Sequence, residues 1–244
     1  MTAPPVKIGN FMLSHWDYDC ASTPGGLSST NNEPWKYQDP GKYYLRTSMN
    51  EPCSTYIDDF EYEYVTCGSV IKLLNTRHNV RLHSHDIKYG SGSGQQSVTA
   101  VGDTTDKNSY WQVKGKQDTQ CSRGSPVKCG STIRLMHVAT RRNLHSHLFQ
   151  SPLSHNQEVS CFGEDGEGDT GDNWVVVCST QLWRRNEGVR LKHVGTEKFL
   201  TVTGDVYGRP IHGQKEVCAH STASQNNNWK SMEGIYVKPI EETK

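Results

Sequence analysis

The chain has 244 residues, with 26 Lys and Arg balanced by 26 Asp and Glu, and 33% of it is hydrophobic. Zero net charge without any run of Lys or Arg argues against general nucleic-acid binding, which usually shows a basic face or stripe. The absence of an apolar stretch of about 18 residues excludes a membrane-spanning helix.

Residues 1–62 hold most of the ten prolines, are rich in Asn, Ser and Tyr, and contain few aliphatic residues. Such a segment buries too little apolar surface to offset its ordering entropy, so an extension without its own core is expected. Its start, Met1–Leu13, lacks the apolar region of a signal peptide. At the other end of the chain, Pro239–Lys244 is not a retrieval tetrapeptide. Phe60, Tyr62 and Tyr64 alternate with Glu61 and Glu63, which predicts a strand running to Val65 with one buried face.

From Val65 the sequence repeats itself. Cys67-Gly68-Ser69-Val70-Ile71-Lys72-Leu73 matches Cys129-Gly130-Ser131-Thr132-Ile133-Arg134-Leu135 at an offset of 62 (129 − 67), and Arg81–His85 matches Asn143–His147 at the same offset. A weaker third copy aligns Val189–Val194 with Ile133–Val138, and Phe199–Thr203 stands where the His-Ser-His segments stand. Each copy then carries a Gln-containing turn before a valine, at Gln95–Val98, Asn156–Val159 and Gln214–Val217, and ends near Trp111, Trp174 or Trp229. The first copy contains short β-type runs at Val70–Leu74, Val80–His83, Ser97–Val101 and Tyr110–Val113, with turn residues between them. Four strands in each of three copies predict an all-β fold closed by threefold symmetry, a β-trefoil; a propeller normally needs at least four blades. The three tryptophans are expected in equivalent core positions.

The eight cysteines form no Cys-x-x-Cys pair, which argues against a zinc ribbon or a thioredoxin-type site. They fit one or two disulfides in an oxidising compartment as well as free buried thiols, and the pairing is not readable from spacing. No Asn-x-Ser/Thr acceptor is present.

The histidines are the sharpest local signal. Residues i and i+2 of a strand share a face, so His83 with His85, and His145 with His147, present two imidazoles together. Zinc needs a third or fourth ligand, and the third copy has no matching pair. Structural hydrogen bonding to turns is therefore favoured over a polar pocket, and a polar pocket over a metal. The acidic loop Gly163–Asp172 lacks the ligand spacing and flanking helices of an EF-hand and is read as a solvated turn. Tyr89–Gln96 is Gly-rich but lacks the lysine of a Walker motif, so its glycines are read as backbone freedom. No Gly-x-Ser-x-Gly elbow, His-Glu-x-x-His motif or nucleophile with a motif-level base is present.

The segments Cys67–Asn75 (CGSVIKLLN), Arg81–Val101, Asn108–Val113 (NSYWQV), Leu144–Trp174, Tyr207–Val217 and Met232–Pro239 together resemble the stromal cell-derived factor 2 and 2-like family, built of three MIR motifs. The resemblance spans about residues 63–239, with repeats at about 65–121, 122–183 and 184–239 and a tail at 240–244; residues 1–62 do not share it. It implies a non-enzymatic protein of the endoplasmic reticulum lumen, or a secreted one. The implied role is quality control in a chaperone complex with a DnaJ-type co-chaperone, a BiP-type chaperone and unfolded or O-mannosylated clients. The alternative is a carbohydrate-binding trefoil that recognises O-mannosyl or other glycans. Neither a cofactor nor a metal is expected. The residues expected to meet a partner or glycan are His83, His85, Tyr89, His145, His147 and Tyr207, on or beside the loops at 88–95, 150–156 and 207–214.

Overall fold

The structure, a computed structural model, describes residues 62–240 and two short strands of the front segment, β1 (Val6–Ile8) and β2 (Phe11–Leu13). The chain forms two units, Met1–Glu61 and Tyr62–Lys244. In the first, β1 and β2 pair antiparallel with Val6 opposite Leu13. The remaining expectations for residues 1–61, and Cys20 and Cys53, fall outside the described residues.

The second unit holds twelve strands in one sheet. The first repeat supplies β3 (Val70–Asn75), β4 (Val80–Lys88), β5 (Gln96–Val101) and β6 (Trp111–Gly115). The second supplies β7 (Thr132–His137), β8 (Asn143–Gln150), β9 (Gln157–Phe162) and β10 (Trp174–Val177). The third supplies β11 (Arg190–His193), β12 (Phe199–Val206), β13 (Lys215–His220) and β14 (Trp229–Ile235).

The first and fourth strands of the repeats make a ring. β14 pairs β3, β3 pairs β6, β6 pairs β7, β7 pairs β10 and β10 pairs β11. The ring closes where Val189, just before β11, exchanges backbone hydrogen bonds of 2.8 and 2.9 Å with Trp229. Closure removes the exposed edges of a short-stranded sheet. The second and third strands form the hairpins β4–β5, β8–β9 and β12–β13. The fold is the β-trefoil that the repeats predict.

Trp111, Trp174 and Trp229 lie fully buried in equivalent places. Each indole donates to a carbonyl one hairpin away, Leu82, Leu144 and Leu200 respectively, at 3.0, 2.9 and 2.8 Å. A buried indole needs a partner for its N–H, and the fold provides the same one three times. Short 3-10 turns, Lys107–Ser109, Thr170–Asp172 and Gln225–Asn227, precede the tryptophans. Gly68, Gly130 and Asn186 occupy one equivalent position at φ of 84°, 84° and 63°. That left-handed backbone is why the first two copies read Cys-Gly-Ser there.

One expected strand is corrected. Over its described part, Tyr62 and Val65 are buried while Glu63 and Tyr64 are half-buried, a spacing of three that breaks the period of two. The segment makes isolated bridges, Tyr64 to Arg184 and Thr66 to Pro126. It crosses within a few residues from one neighbour to another, with Val65 N–H on the Trp183 carbonyl and Val127 N–H on the Val65 carbonyl, both at 2.9 Å.

Disulfides Cys67–Cys121 and Cys129–Cys178 tie the start of repeats one and two to their ends, across 54 and 49 residues. Closing loops of that length in the unfolded chain contributes about 4 kcal/mol each by the chain-entropy argument. Cys161 and Cys218 are free and buried.

Candidate functional site

The third strands of the repeats meet at the threefold axis, and their pairing repeats. Gln96, Gln157 and Lys215 stand opposite Cys161, Ala219 and Ala100, while Ser97, Glu158 and Glu216 stand opposite Ser160, Cys218 and Thr99. Between them Val98, Val159 and Val217 are fully buried. The hairpin ends above this centre form the candidate site.

Two fully buried carboxylates hold these ends together. Glu158 accepts from the backbone N–H and hydroxyl of Ser93 in the first repeat, and pairs with His147 Nε2 at 2.9 Å. Glu216 accepts from the backbone N–H of Leu153 (2.9 Å) and of Ser154 (3.2 Å) in the second repeat. Each glutamate thus pins the loop of the preceding repeat. A buried carboxylate is tolerated only when its oxygens are filled in this way. The order Ser93–Glu158–His147 puts the carboxylate between hydroxyl and imidazole. In a nucleophilic triad the imidazole stands between them, so this serine is not activated.

The structure separates the six residues expected at the surface. Tyr89 is 5% and Tyr207 8% exposed, and with Ile211 they form a small apolar cluster. The Tyr89 hydroxyl lies between the carbonyls of Val98 (2.9 Å) and Val159 (3.0 Å), which share its one proton, and this ties the loop to the axis. Burial pushes both phenols upward. His83 and His145 are likewise buried. His83 Nδ1 lies 2.8 Å from Asp106, and His145 Nδ1 lies 2.9 Å from Asp172. Burial opposes ionisation of Asp106, but hydrogen bonds from His83 and Ser109 outweigh it and hold the acid down to about 2. His85 Nδ1 is 3.1 Å from His83 Nε2, and burial lowers its basicity. The serines between the histidines also face inward. Ser84 and Ser146 donate across their hairpins to the carbonyls of Ser97 and Glu158, both at 2.7 Å. His85 and His147 are the half-buried members of the set. Burial pushes the Cys161 and Cys218 thiols up to about 12, so neither is a ready nucleophile.

Sequence reasoning missed the apolar residues that the same hairpins expose. Leu148 is 86%, Phe149 50% and Val206 53% exposed, and Leu153 lies on the next loop. Phe149 leans on His147, ring centroids 4.8 Å apart. The available signal was the replacement of Asp86-Ile87 in the first repeat by Leu148-Phe149 in the second, at the offset of 62 (148 − 86).

Comparison with known proteins is consistent with this architecture. The MIR domain matches residues 72–229. Stromal cell-derived factor 2 of Homo sapiens is 66% identical over 177 residues, covering 72% of this chain and 84% of its own. The crystal structure of the SDF2-like protein from Arabidopsis thaliana superposes with a TM-score of 0.71 at 47% identity, covering 73% of this chain and 99% of that one. The S. cerevisiae protein O-mannosyltransferase complex bound to the sugar donor superposes with a TM-score of 0.62 at 26% identity, covering 80% of this chain and 30% of that one. No helix among the described residues is long and apolar enough to cross a membrane.

Proposed function

Because this chain belongs to the MIR-domain family, among the stromal cell-derived factor 2 proteins, we propose that it is a non-enzymatic quality-control protein of the endoplasmic reticulum. It acts as a chaperone-complex subunit that receives a DnaJ-type co-chaperone and unfolded clients on its hairpin ends. The observation that carries this reading is the exposed set Leu148, Phe149 and Val206 on hairpins anchored by buried glutamates. Apolar side chains on a rigid, water-facing support lower the ordering cost of binding and fit an apolar partner surface. Two disulfides support an oxidising compartment.

The glycan alternative calls for an exposed aromatic face beside polar groups. Burial of Tyr89 and Tyr207 removes both tyrosines expected there, and Phe149, which was not expected, is the exposed ring that with His147 makes the pair for a sugar ring. The test measures affinity and melting on the same variants. Leu148→Asp with Phe149→Ala is expected to weaken a DnaJ-type co-chaperone at least about tenfold, the size of a hot-spot loss, with melting unchanged. Unchanged affinity overturns the reading. Loss of a glycan-array signal in the same variant, without loss of co-chaperone affinity, favours the alternative.

A further inference from the structure

The three hairpin ends are closed by the same hydrogen bond but held down by different means. The N–H groups of Tyr89, Ser151 and Tyr207 donate to the carbonyls of Gln95, Asn156 and Gln214, at 2.9, 2.8 and 2.9 Å, and so close loops 89–95, 151–156 and 207–214. Two residues before each closing residue stand Ser93, Ser154 and His212. Glu158 of the second repeat accepts from the Ser93 N–H in the first loop, and Glu216 of the third repeat accepts from the Ser154 N–H in the second. By the same register, the residue placed to hold the third loop is Ser97 of the first repeat. It carries no carboxylate, and its hydroxyl donates to the Ile87 carbonyl of its own hairpin at 2.8 Å.

The third loop is held by apolar packing instead. Ile211 is 5% exposed, whereas Leu153, its counterpart three residues before the closing residue, is 36% exposed. Ile211 and Tyr207 cluster with Tyr89 and Ile87 of the first repeat. The Tyr89 hydroxyl lies between two carbonyls, but the Tyr207 hydroxyl, also buried, reaches none. The Thr99 hydroxyl meets the Gln214 side chain, yet Ser160 meets Gln95 in the same way, so this contact does not set the third loop apart from the first. Arg209, Pro210 and His212 of the third loop are exposed.

We infer that loop 207–214 is a lid, which opens while the rest of the trefoil stays folded. Its hinge is the ladder pair Val206–Lys215, and the pairing of β12 with β13 below that pair is kept. Opening withdraws Ile211 and Tyr207 from their cluster and uncovers Ile87 and Tyr89. This end of the trefoil therefore presents more apolar surface open than closed. The lid is a property of the chain alone and does not depend on which partner binds there.

The other two loops are internal controls. Opening either one strips N–H donors from a fully buried carboxylate and leaves a charge with neither partner nor water, the costliest kind of lost contact. The first loop lies so close to its glutamate that a Cβ added at Gly92 would stand 2.0 Å from Glu158 Oε2. At Gly208 and Gly213 of the third loop an added Cβ would meet nothing within 4 Å. Opening the third loop takes no donor from Glu158 or Glu216 among the described residues.

The test is amide hydrogen exchange on the full chain, read as protection factors at Tyr89, Ser151 and Tyr207. Trp229, whose N–H closes the strand ring, reports global unfolding. In the unmodified chain Tyr207 is expected to be protected at least about tenfold less than Tyr89 and Ser151, because a local opening needs less free energy than a global one. Ile211→Ala is expected to lower protection at Tyr207 at least about tenfold further and to leave Tyr89, Ser151 and Trp229 nearly unchanged. Glu216→Gln, which keeps the shape but removes the charge, is expected to bring Ser151 down towards Tyr207. Equal protection of the three loop amides in the unmodified chain overturns the inference. So does an Ile211→Ala variant in which Tyr207 is unchanged, or in which Trp229 falls as far as Tyr207. Unchanged protection of Ser151 in Glu216→Gln also overturns it, since the carboxylate is then not what holds a loop shut.

Discussion

The first repeat and the second fill one hole in the trefoil with different chemistry. In the first, Asn75 Nδ2 donates to the Asn226 carbonyl at 2.8 Å, and Asn75 Oδ1 accepts from His78 N–H at 3.1 Å. In the second, His137 Nε2 meets the Asn108 carbonyl and Nδ1 meets Thr140 Oγ1, both at 2.9 Å. The third repeat follows the second, with His193 on the Gly171 carbonyl and on Thr196 Oγ1. In every case the side chain joins the 3-10 turn of another repeat to the hairpin turn of its own. What the fold requires is one donor and one acceptor at a fixed separation, and either an amide or a neutral imidazole supplies them. The imidazole adds a pH dependence that the amide lacks.

Breaking the equivalence of the repeats at their centre gives the largest effect. Trp174→Ala and Trp229→Ala each remove a fully buried indole and its hydrogen bond, and each is expected to cost about 3–5 kcal/mol in denaturant unfolding. A much smaller loss at Trp229, in the copy with the weakest sequence match and no disulfide among the described residues, shows that the third repeat is packed less tightly.

Acid sharpens the comparison between Asn75 and His137. Burial lowers His137 from its ordinary value of 6.5 to about 4. Between those values the unfolded chain binds a proton that the folded chain does not, so stability is lost as pH falls from 6.5 towards 4. The loss is about 3 kcal/mol when complete. His137→Asn, which copies the first repeat, is expected to remove that part of the acid sensitivity. Melting profiles at pH 7 and pH 4.5 that respond identically in both proteins contradict it.

The smallest effect lies in the hairpin turns. Asn79, Arg141 and Glu197 are equivalent and all left-handed, at φ of 50°, 58° and 59°. Asparagine bears that conformation at little cost, whereas glutamate carries strain of about 1 kcal/mol. Glu197→Gly relieves the strain but gives up an exposed ion pair with Lys192, so it is expected to raise stability by at most about 1 kcal/mol. A drop in melting temperature shows that the ion pair matters more than the turn.

Much of the fold was legible because repetition makes one structural demand visible several times. The offset of 62 between Cys67 and Cys129 and the spacing of the three tryptophans identified the repeats and their number. Hairpin β8–β9 was legible from its apolar and turn residues, but the role of Glu158 was not. Its partner Ser93 lies 65 residues away in another repeat. Tyr89 looked like a surface aromatic in a Gly-Ser loop, yet its hydroxyl bonds the carbonyl of Val159, 70 residues on. The strap at Tyr62–Val65 was read with the wrong period because its two neighbours, Trp183 and Val127, come from distant stretches of the chain.

By itself the sequence determined the all-β class, the threefold repeat, the buried tryptophans and the family, since local pattern and periodicity act over a few residues and recur in each copy. Only the tertiary structure decided which cysteines pair and which glutamate pins which loop. It also decided which tyrosines are buried, and that His145 meets two aspartates while His83 meets one. Those outcomes depend on ring closure, which places residues 23 to 70 positions apart within hydrogen-bond reach. Spacing along the chain carries no measure of that distance.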